Sequence, residues 1–347
     1  MTSRRDLIRI AVSGATLYPL CSWARGRPIA EARYVPIGGI EQWVQIRGDD
    51  RDNPALLWLN GGPGYSTIPD TPGYRQWEQY FTVVMWDQRG EGKTLERSGT
   101  SVAPTMTIER MAEDGIELVE YLCRHLRKTK IILLGHSWGS ILGIHMIKLR
   151  PDLFSAYVGT GQIVDLERDA EAAYPLLLER AKALHNTVAV KQLERVGPPP
   201  YPDSPKKWVW IRWANALDPQ PPGVWATLRD GKRAPADIEE GAEFSQGLMW
   251  SSIMHDDLPK LGLDFKVPIF FIQGAEDELA VTALARTYFD QIHAPLKKFI
   301  VLPRVGHLAI FTARKAFLAQ LVKWVRPVVM ARAERASARL SENRAIG

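Results

Sequence analysis

The chain has 347 residues, of which 46% are hydrophobic, enough to bury the core of one large domain that carries an insertion. Its formal net charge of +5 lies mostly at the two ends, with five arginines against one aspartate in the first 27 residues and four arginines against two glutamates from residue 331 onward. The nearly neutral body between these ends excludes the basic surface typical of a nucleic-acid-binding protein.

The N-terminus has the features of a twin-arginine export signal. Arg4 and Arg5 precede a mostly apolar stretch over residues 10–20, and small residues at positions 22 and 24 have the spacing of a cleavage site. The apolar stretch is too short to span a bilayer as a helix, so no stable membrane anchor is expected. We therefore predict that residues 1–30 direct the protein to the periplasm or the medium. A cytoplasmic protein with a basic start is the alternative.

Short apolar runs alternate with helical patterns in the first half of the chain. Apolar residues at three-to-four spacing predict helices over 108–126 and 141–149. Strands that alternate with helices indicate an α/β protein with a mostly parallel sheet flanked by helices. Four runs have the continuous apolar character of strands buried on both faces, and they are Ala55 to Leu59, Phe81 to Trp86, Ile131 to Leu134 and Ala156 to Val158.

The alternation stops between residues 164 and 257. Helices are predicted there over 167–185, with a break allowed at Pro175, and over 238–249, but clustered prolines exclude central strands. This tryptophan-rich segment is therefore predicted to be a helical cap inserted into the core. The predicted core comprises 31–163 and 258–330, with strands at 267–272 and 299–302 and a last helix at 310–325, and a charged tail at 331–347.

One motif predicts a nucleophile. The strand at 131–134 runs directly into Gly-His-Ser-Trp-Gly at residues 135–139, and a helix follows. This order is the strand, sharp turn and helix of a G-x-S-x-G nucleophile elbow, in which flanking glycines avoid collisions. The motif assigns Ser137 as the nucleophile, and the backbone N–H of Trp138 as one donor of an oxyanion hole.

A serine nucleophile needs a histidine base and a carboxylate that orients it, and in this fold they follow in the order Ser, Asp, His. Asp277 lies in a turn after the strand at 267–272, three residues past a glycine, with Glu276 and Glu278 as competing acids. His307 precedes the last predicted helix and is the histidine that matches the order. The other histidines, His136 included, are interpreted as ordinary surface or core residues.

The second oxyanion donor is expected from the Gly-rich loop after an early strand, Asn60 to Gly64, where glycine lets the backbone approach a substrate closely. The loop lacks the lysine and the helix start of a phosphate-binding P-loop.

Five motifs together resemble the proline iminopeptidase family of α/β-hydrolases, over residues from about 31 to 326 except most of the cap. The resemblance implies the α/β-hydrolase fold with an inserted cap, no cofactor or metal, and an oxyanion hole formed by Gly62 and Trp138. It also implies release of an N-terminal residue from a short peptide. The motifs are Asn60 to Gly64, Asp87 to Gly90, Gly135 to Ser140, Gly274 to Asp277, and Gly306-His307.

The chain departs from the family pattern at two positions. Asn60 stands where the family usually has histidine, and Ala214 follows the Trp210 and Trp213 pair where the family has a glutamate that binds the substrate's amine. A buried ammonium without a carboxylate partner costs several kcal/mol. Either another cap acid replaces the missing one, or the substrate carries no amine, and the candidate acids are Glu239, Glu240 and Glu243.

Three functions therefore compete. The first is an aminopeptidase of the proline iminopeptidase type, acting on a short-peptide or other small-molecule substrate, with Trp210 and Trp213 in the substrate site. The second is a carboxylesterase without aminopeptidase activity. The third is a non-catalytic binding protein that keeps the hydrolase fold. Relatives that open epoxides place an aspartate at the elbow, and Ser137 argues against that class. The sequence does not predict the oligomeric state.

Overall fold

The computed structural model describes residues 26–201, 206–220 and 240–335. Most of the predicted export signal, the candidate acid Glu239 and the C-terminal part of the predicted tail lie outside the described residues. Within the described ranges, no helix combines the length and the apolarity needed to cross a bilayer.

Eight strands form one mixed sheet in the order β1-β2-β4-β3-β5-β6-β7-β8. The pairs β1 with β2 and β2 with β4 are antiparallel, and every later pair is parallel. This mostly parallel sheet confirms the predicted fold class. The strands are β1 (Ile29–Ile37), β2 (Ile40–Gly48), β3 (Ala55–Leu59), β4 (Thr82–Trp86), β5 (Ile131–His136), β6 (Phe154–Thr160), β7 (Ile269–Gly274) and β8 (Lys297–Leu302).

The central strands are buried on both faces because helices cover the sheet on each side. Every residue of β3 is buried, and its side chains alternate between two apolar layers. Leu57 and Leu59 belong to the layer that includes the helices at Ile108–Leu126 and Trp138–Leu149, whereas Leu56 and Trp58 pack in the layer under the C-terminal helices. This double burial explains why these strands have continuous apolar sequences.

The β1–β2 hairpin was not predicted. Its strands meet at Gly38 and Gly39, which have φ values of +57° and +78°, as a tight hairpin turn between twisted strands requires. β1 is only partly buried, with exposed Ala32 and Arg33 between buried Ile29 and Val35. The first strand therefore begins at Ile29, two residues before the predicted start of the core.

The helices of the described chain cover both faces of the sheet and build the cap between β6 and β7. They are α1 (Gly92–Ser98), α2 (Ile108–Leu126), α3 (Trp138–Leu149), α4 (Leu166–Ala183), α5 (Thr187–Val196), α6 (Lys206–Ala216), α7 (Glu240–Met254), α8 (Thr282–Gln291), α9 (Ala309–Thr312) and α10 (Arg314–Gln320). A π-helical turn at Leu321–Val325 follows α10 and continues as helix over 326–335.

Several helix boundaries differ from the prediction for identifiable reasons. Helix α4 runs unbroken through Pro175, because this residue and Glu171, whose carbonyl loses a hydrogen bond, are both exposed to solvent. Helix α3 starts at Trp138 rather than at residue 141, since the turn at Ser137 passes directly into it. The last predicted helix is divided at Ala313.

The cap contacts the core through hydrogen bonds from two of its segments. In α7, the Ser245 hydroxyl donates to the carbonyl oxygen of Gly90 at 2.6 Å, and the Gln246 amide donates to that of Pro63 at 3.2 Å. After α6, the buried Asp218 carboxylate accepts a hydrogen bond from the backbone N–H of Leu308 at 3.2 Å. The cap is therefore tied to the loops that surround the candidate site.

Candidate active site

Ser137 lies in a strained turn between β5 and α3. Its backbone has φ 54° and ψ −121°, a conformation that residues with side chains rarely adopt. A Cβ at Gly135 would lie 2.3 Å from the Gly139 carbonyl oxygen, and a Cβ at Gly139 would lie 2.2 Å from the carbonyl oxygen of Leu59. Both positions therefore require glycine, as the elbow motif predicts.

His307 and Asp277 form a buried pair. Nδ1 of His307 lies 3.1 and 3.0 Å from the two carboxylate oxygens of Asp277. Because a carboxylate only accepts, Nδ1 carries the proton and Nε2 is left as the basic nitrogen. Asp277 Oδ1 also accepts from the backbone N–H groups of Leu279 and Ala280, at 3.0 and 2.9 Å. The carboxylate is thus fixed from both sides.

The two acids that flank Asp277 point elsewhere. Glu276 and Glu278 both form ion pairs with Arg180 of α4, at 3.2 and 2.7 Å. Within the described chain, Asp277 is the acid of this turn that reaches His307. The flanking glutamates instead connect the turn to the cap.

A cavity of about 850 Å³ between the core and the cap brings the predicted residues together. Ser137, Trp138, Gly62 and His307 all line it. In the described residues, no group of three or more His, Cys, Asp or Glu side chains is placed to hold a metal ion. The cavity is large enough for a small organic or short-peptide ligand.

The cap tryptophans divide into two groups. Trp210 lines the cavity, together with Trp208 and Trp250. Trp213, predicted to bind substrate, is not part of the cavity wall, since its indole is buried within the cap and donates to the Gln192 side chain at 3.0 Å. The apolar wall of the cavity therefore comes mainly from the other three indoles.

The candidate cap acids are also separated by the structure. Glu243 lines the cavity, whereas Glu240 is exposed and does not. Ala214 is buried away from the cavity, and Glu239 lies outside the described residues. Among the described residues, Glu243 is thus the acid on α7 that could meet a substrate's amine.

The Gly-rich loop at residues 60–64 packs directly against Ser137. A Cβ at Gly61 would lie 3.1 Å from the Ser137 Cβ. Gly62 has φ +121°, which favours glycine. The backbone of this loop thus lies beside the serine, where an oxyanion donor must be.

A buried polar network supports this loop. The sequence motifs include three of its members, Asn60, Gln88 and Trp138, but not Glu91. Trp138 Nε1 donates to Gln88 Oε1 at 3.1 Å, and Gln88 Nε2 donates to Asn60 Oδ1. Asn60 Nδ2 in turn donates to Glu91 Oε1 at 2.7 Å, and the backbone N–H of Gln88 donates to the same oxygen at 2.8 Å. Asn60 therefore links the loop, through Gln88, to Trp138 beside Ser137.

Glu91 makes this network sensitive to pH. Burial, followed by the nearby Asp87 carboxylate, raises the pKa of Glu91 to about 8 from its ordinary value of 4.5. A raised pKa means that the folded state binds the proton more tightly than the unfolded chain, so protonation of Glu91 stabilises the folded state. This stabilisation is complete below the unfolded pKa. That stabilisation is lost as the pH rises through the folded pKa.

We predict that Glu91→Gln flattens this pH dependence, because an amide resembles the protonated carboxyl. The melting temperature of the wild type should fall by several degrees between about pH 5 and pH 9, and that of the variant should change less. Thermal denaturation followed by circular dichroism measures both, with the exposed Glu96→Gln as the matched control. Equal slopes in all three proteins would contradict the assignment.

His136 is a further residue that sequence reasoning missed. Its Nε2 donates to the backbone carbonyl oxygen of His307 at 3.2 Å, and the two ring centroids lie 5.1 Å apart. Burial, followed by the nearby His307, lowers the pKa of His136 to about 3. The residue before Ser137 is therefore a neutral donor that holds the backbone of His307. No local sequence signal marks this contact, since the two residues are 171 positions apart.

This chain matches one family model and several known proteins along most of its length. The family model described as serine aminopeptidase, S33, matches residues 55–312. A probable aminopeptidase of Bacillus subtilis (strain 168) is 31% identical over 296 residues, which cover 81% of this chain and 92% of that protein. A proline iminopeptidase of Lactobacillus helveticus is 26% identical over 305 residues, or 84% of this chain and 96% of that protein.

Solved structures share the fold. A proline iminopeptidase-related protein from Thermus thermophilus superposes with a TM-score of 0.63 at 23% identity, covering 87% of this chain and 99% of that one. A thermophilic esterase from Thermogutta terrifontis gives a TM-score of 0.54 at 17% identity, with coverage of 87% and 99%. At these identities, the two structures support the fold and not a substrate.

Proposed function

The chain belongs to the S33 serine aminopeptidase family, and from this premise we propose that it is a serine hydrolase that cleaves small amides or esters through an acyl-enzyme on Ser137. One observation carries the proposal. The buried Asp277–His307 pair and the strained Ser137 turn line the same cavity. A nucleophile, a base and a carboxylate that orients the base are the groups that acyl transfer needs.

In the proposed mechanism, Ser137 Oγ attacks the substrate carbonyl carbon while His307 Nε2 accepts the hydroxyl proton. Asp277 stabilises the imidazolium that forms, and the backbone N–H groups of Gly62 and Trp138 donate to the oxyanion. His307 then protonates the leaving group, which departs and leaves an ester on Ser137. Water, deprotonated by His307, hydrolyses this ester and restores the serine.

We propose that the substrate's acyl group is an N-terminal residue with a free amine, as the names of the relatives suggest. Glu243 supports this, because it lines the cavity and lies one turn before Gln246, which donates to the Pro63 carbonyl of the oxyanion loop. A carboxylate in this position could pair with the ammonium, in place of the glutamate missing at Ala214.

A carboxylesterase without aminopeptidase activity is the second candidate. The observation that favours it is the apolar wall formed by Trp208, Trp210 and Trp250, which suits an uncharged acyl group. The exposure of Glu243 also weakens any ion pair that it makes.

Glu243→Gln separates these candidates. The ratio of kcat/KM for a prolyl or alanyl arylamide to that for a short-chain nitrophenyl ester should fall severalfold in this variant, since the ammonium loses its partner. Glu171→Gln, an exposed cap acid away from the cavity, is the control. A ratio that Glu243→Gln leaves unchanged, with esters as the better substrates, would support the carboxylesterase instead.

We also propose that residues 1–30 export the protein to the periplasm or the medium. The support is the sequence alone, because most of this segment lies outside the described residues. N-terminal sequencing of the protein from fractionated native cells tests it, and a cytoplasmic chain that still begins at Met1 would refute it.

A further inference from the structure

Arg314 is a charged residue of the cavity wall that the mechanism does not use. It begins α10, seven residues after His307, and lines the same cavity as Ser137 and His307. Its guanidinium carbon lies 5.1 Å from the ring centroid of Tyr74, which holds the side chain against the core rather than the cap. Arg314 therefore brings a fixed positive charge to the core side of the cavity.

The hydrogen-bonding capacity of Arg314 is not fully used. Its Nε–H is buried and has no hydrogen-bond partner. Among the residues that the structure describes, no carboxylate forms an ion pair with it. The charge of Asp70, on the same wall, is felt by Arg314 only at longer range, and burial raises the pKa of that carboxyl. A positive charge on a cavity wall without a carboxylate partner favours an anionic ligand there.

The position of Arg314 indicates which part of a substrate would meet it. In acyl transfer, the base that activates the serine also protonates the leaving group, so the leaving group must lie beside His307. Phe311 and Arg314 follow His307 along α9 and α10, and both line the cavity. Because Arg314 follows His307 by only seven residues on this wall, we take a group that it binds to be on the leaving-group side of the scissile bond.

We propose that Arg314 binds a carboxylate carried by the leaving group. The planar guanidinium fork can donate two parallel hydrogen bonds to a carboxylate, from its two terminal nitrogens. With Glu243 on the cap wall and Arg314 on the core wall, the cavity has opposite charges that match the two ends of a dipeptide. This inference rests on the proposed function and narrows its substrates to those that release an anion, of which a dipeptide with a free C-terminus is the smallest peptide.

The experiment compares matched substrates that differ only in this charge. One pair is 4-acetoxybenzoate and its methyl ester. Neither of these two substrates carries an amine, so this pair does not depend on an amine-binding site. The other pair is a dipeptide and its C-terminal amide. The readout is the ratio of kcat/KM for the anionic to the neutral member of each pair. Comparing this ratio between enzymes cancels the intrinsic reactivities of the two substrates.

Arg314→Gln should lower the ratio about tenfold or more, and Arg314→Lys should lower it less, because lysine keeps the charge but loses the fork. Asp70→Asn should raise the ratio severalfold by removing the competing negative charge, and it tests the site even if Arg314 variants fold poorly. Lys315→Gln removes a neighbouring exposed charge outside the cavity wall and is the control.

Ratios that stay the same in Arg314→Gln and Asp70→Asn, with normal turnover of both esters, would overturn the carboxylate site alone. No turnover of either ester by the wild type, together with no labelling of Ser137 by a fluorophosphonate, would overturn the proposed function and this inference with it. A fall in the dipeptide ratio without a fall in the aryl ester ratio would place the site on peptide leaving groups, and the reverse result would place it on small aromatic acids.

Discussion

Replacing Ser137 with alanine should lower kcat by at least about a thousandfold and leave the fold intact. Covalent catalysis is lost with the hydroxyl, so only the oxyanion donors and substrate binding remain. The substitution adds no backbone strain at φ 54°, because serine and alanine both carry a Cβ. Initial rates on a nitrophenyl ester measure the loss, and circular dichroism checks the fold.

A serine-reactive fluorophosphonate provides the second measurement for Ser137. It should label the wild type and not the alanine variant. Ser140→Ala is a useful comparison, because the Ser140 hydroxyl is already engaged, donating to the Ser137 carbonyl oxygen at 2.6 Å. Labelling that persists in Ser137→Ala would show that another residue is the nucleophile.

Asp277→Asn should lower kcat by about ten-thousandfold, as in other triads in which the carboxylate becomes an amide. The two backbone N–H groups at Asp277 Oδ1 require an acceptor there, so the new NH₂ group would take the Oδ2 position facing His307 Nδ1. His307 would then have to accept at Nδ1 and carry its proton on Nε2, where it cannot act as a base toward Ser137. The kcat of a nitrophenyl ester and the rate of fluorophosphonate labelling measure this effect.

Glu276→Gln and Glu278→Gln are the matched controls, since each residue is adjacent to Asp277 but its side chain points away from His307. Both pair with Arg180 rather than with His307, so each change should alter kcat by no more than a few-fold. A loss in either control as large as that in Asp277→Asn would mean that the orienting carboxylate has been misassigned.

The central sheet was predictable because its strands are buried on both faces. Under that condition the sequence becomes an uninterrupted apolar run bounded by turns, as in Ala55–Leu59 and Ile131–His136. The β1–β2 hairpin lies at the edge of the sheet, and charged residues such as Glu31 and Arg33 interrupt its apolar pattern. The hairpin was therefore hard to recognise because strands at the edge of the sheet are only partly buried.

The candidate site was predictable where backbone geometry restricts residue type. The elbow requires glycine at positions 135 and 139, and this restriction is visible in one sequence. Contacts between distant segments leave no such mark. The bond from His136 to the His307 carbonyl and the network that joins Asn60, Gln88 and Glu91 became apparent only when the fold brought these residues together. For the same reason, spacing could not separate Trp210 in the cavity wall from Trp213 inside the cap.

The contacts between cap and core bear on how this scaffold could acquire a new substrate range. A Cβ on Gly241 would lie 2.7 Å from the Gly64 carbonyl oxygen, so the cap backbone rests directly on the Gly-rich loop at residues 60–64. At the other side, Asp218 accepts from the amide that follows His307. A cap exchanged as a cassette between relatives would have to bring an equivalent of Asp218 and a glycine at position 241. Without them, the new cap would disturb the loop that carries His307 as well as change the substrate specificity. Single substitutions in the existing cap avoid this cost, so they are the easier way to change the substrate range.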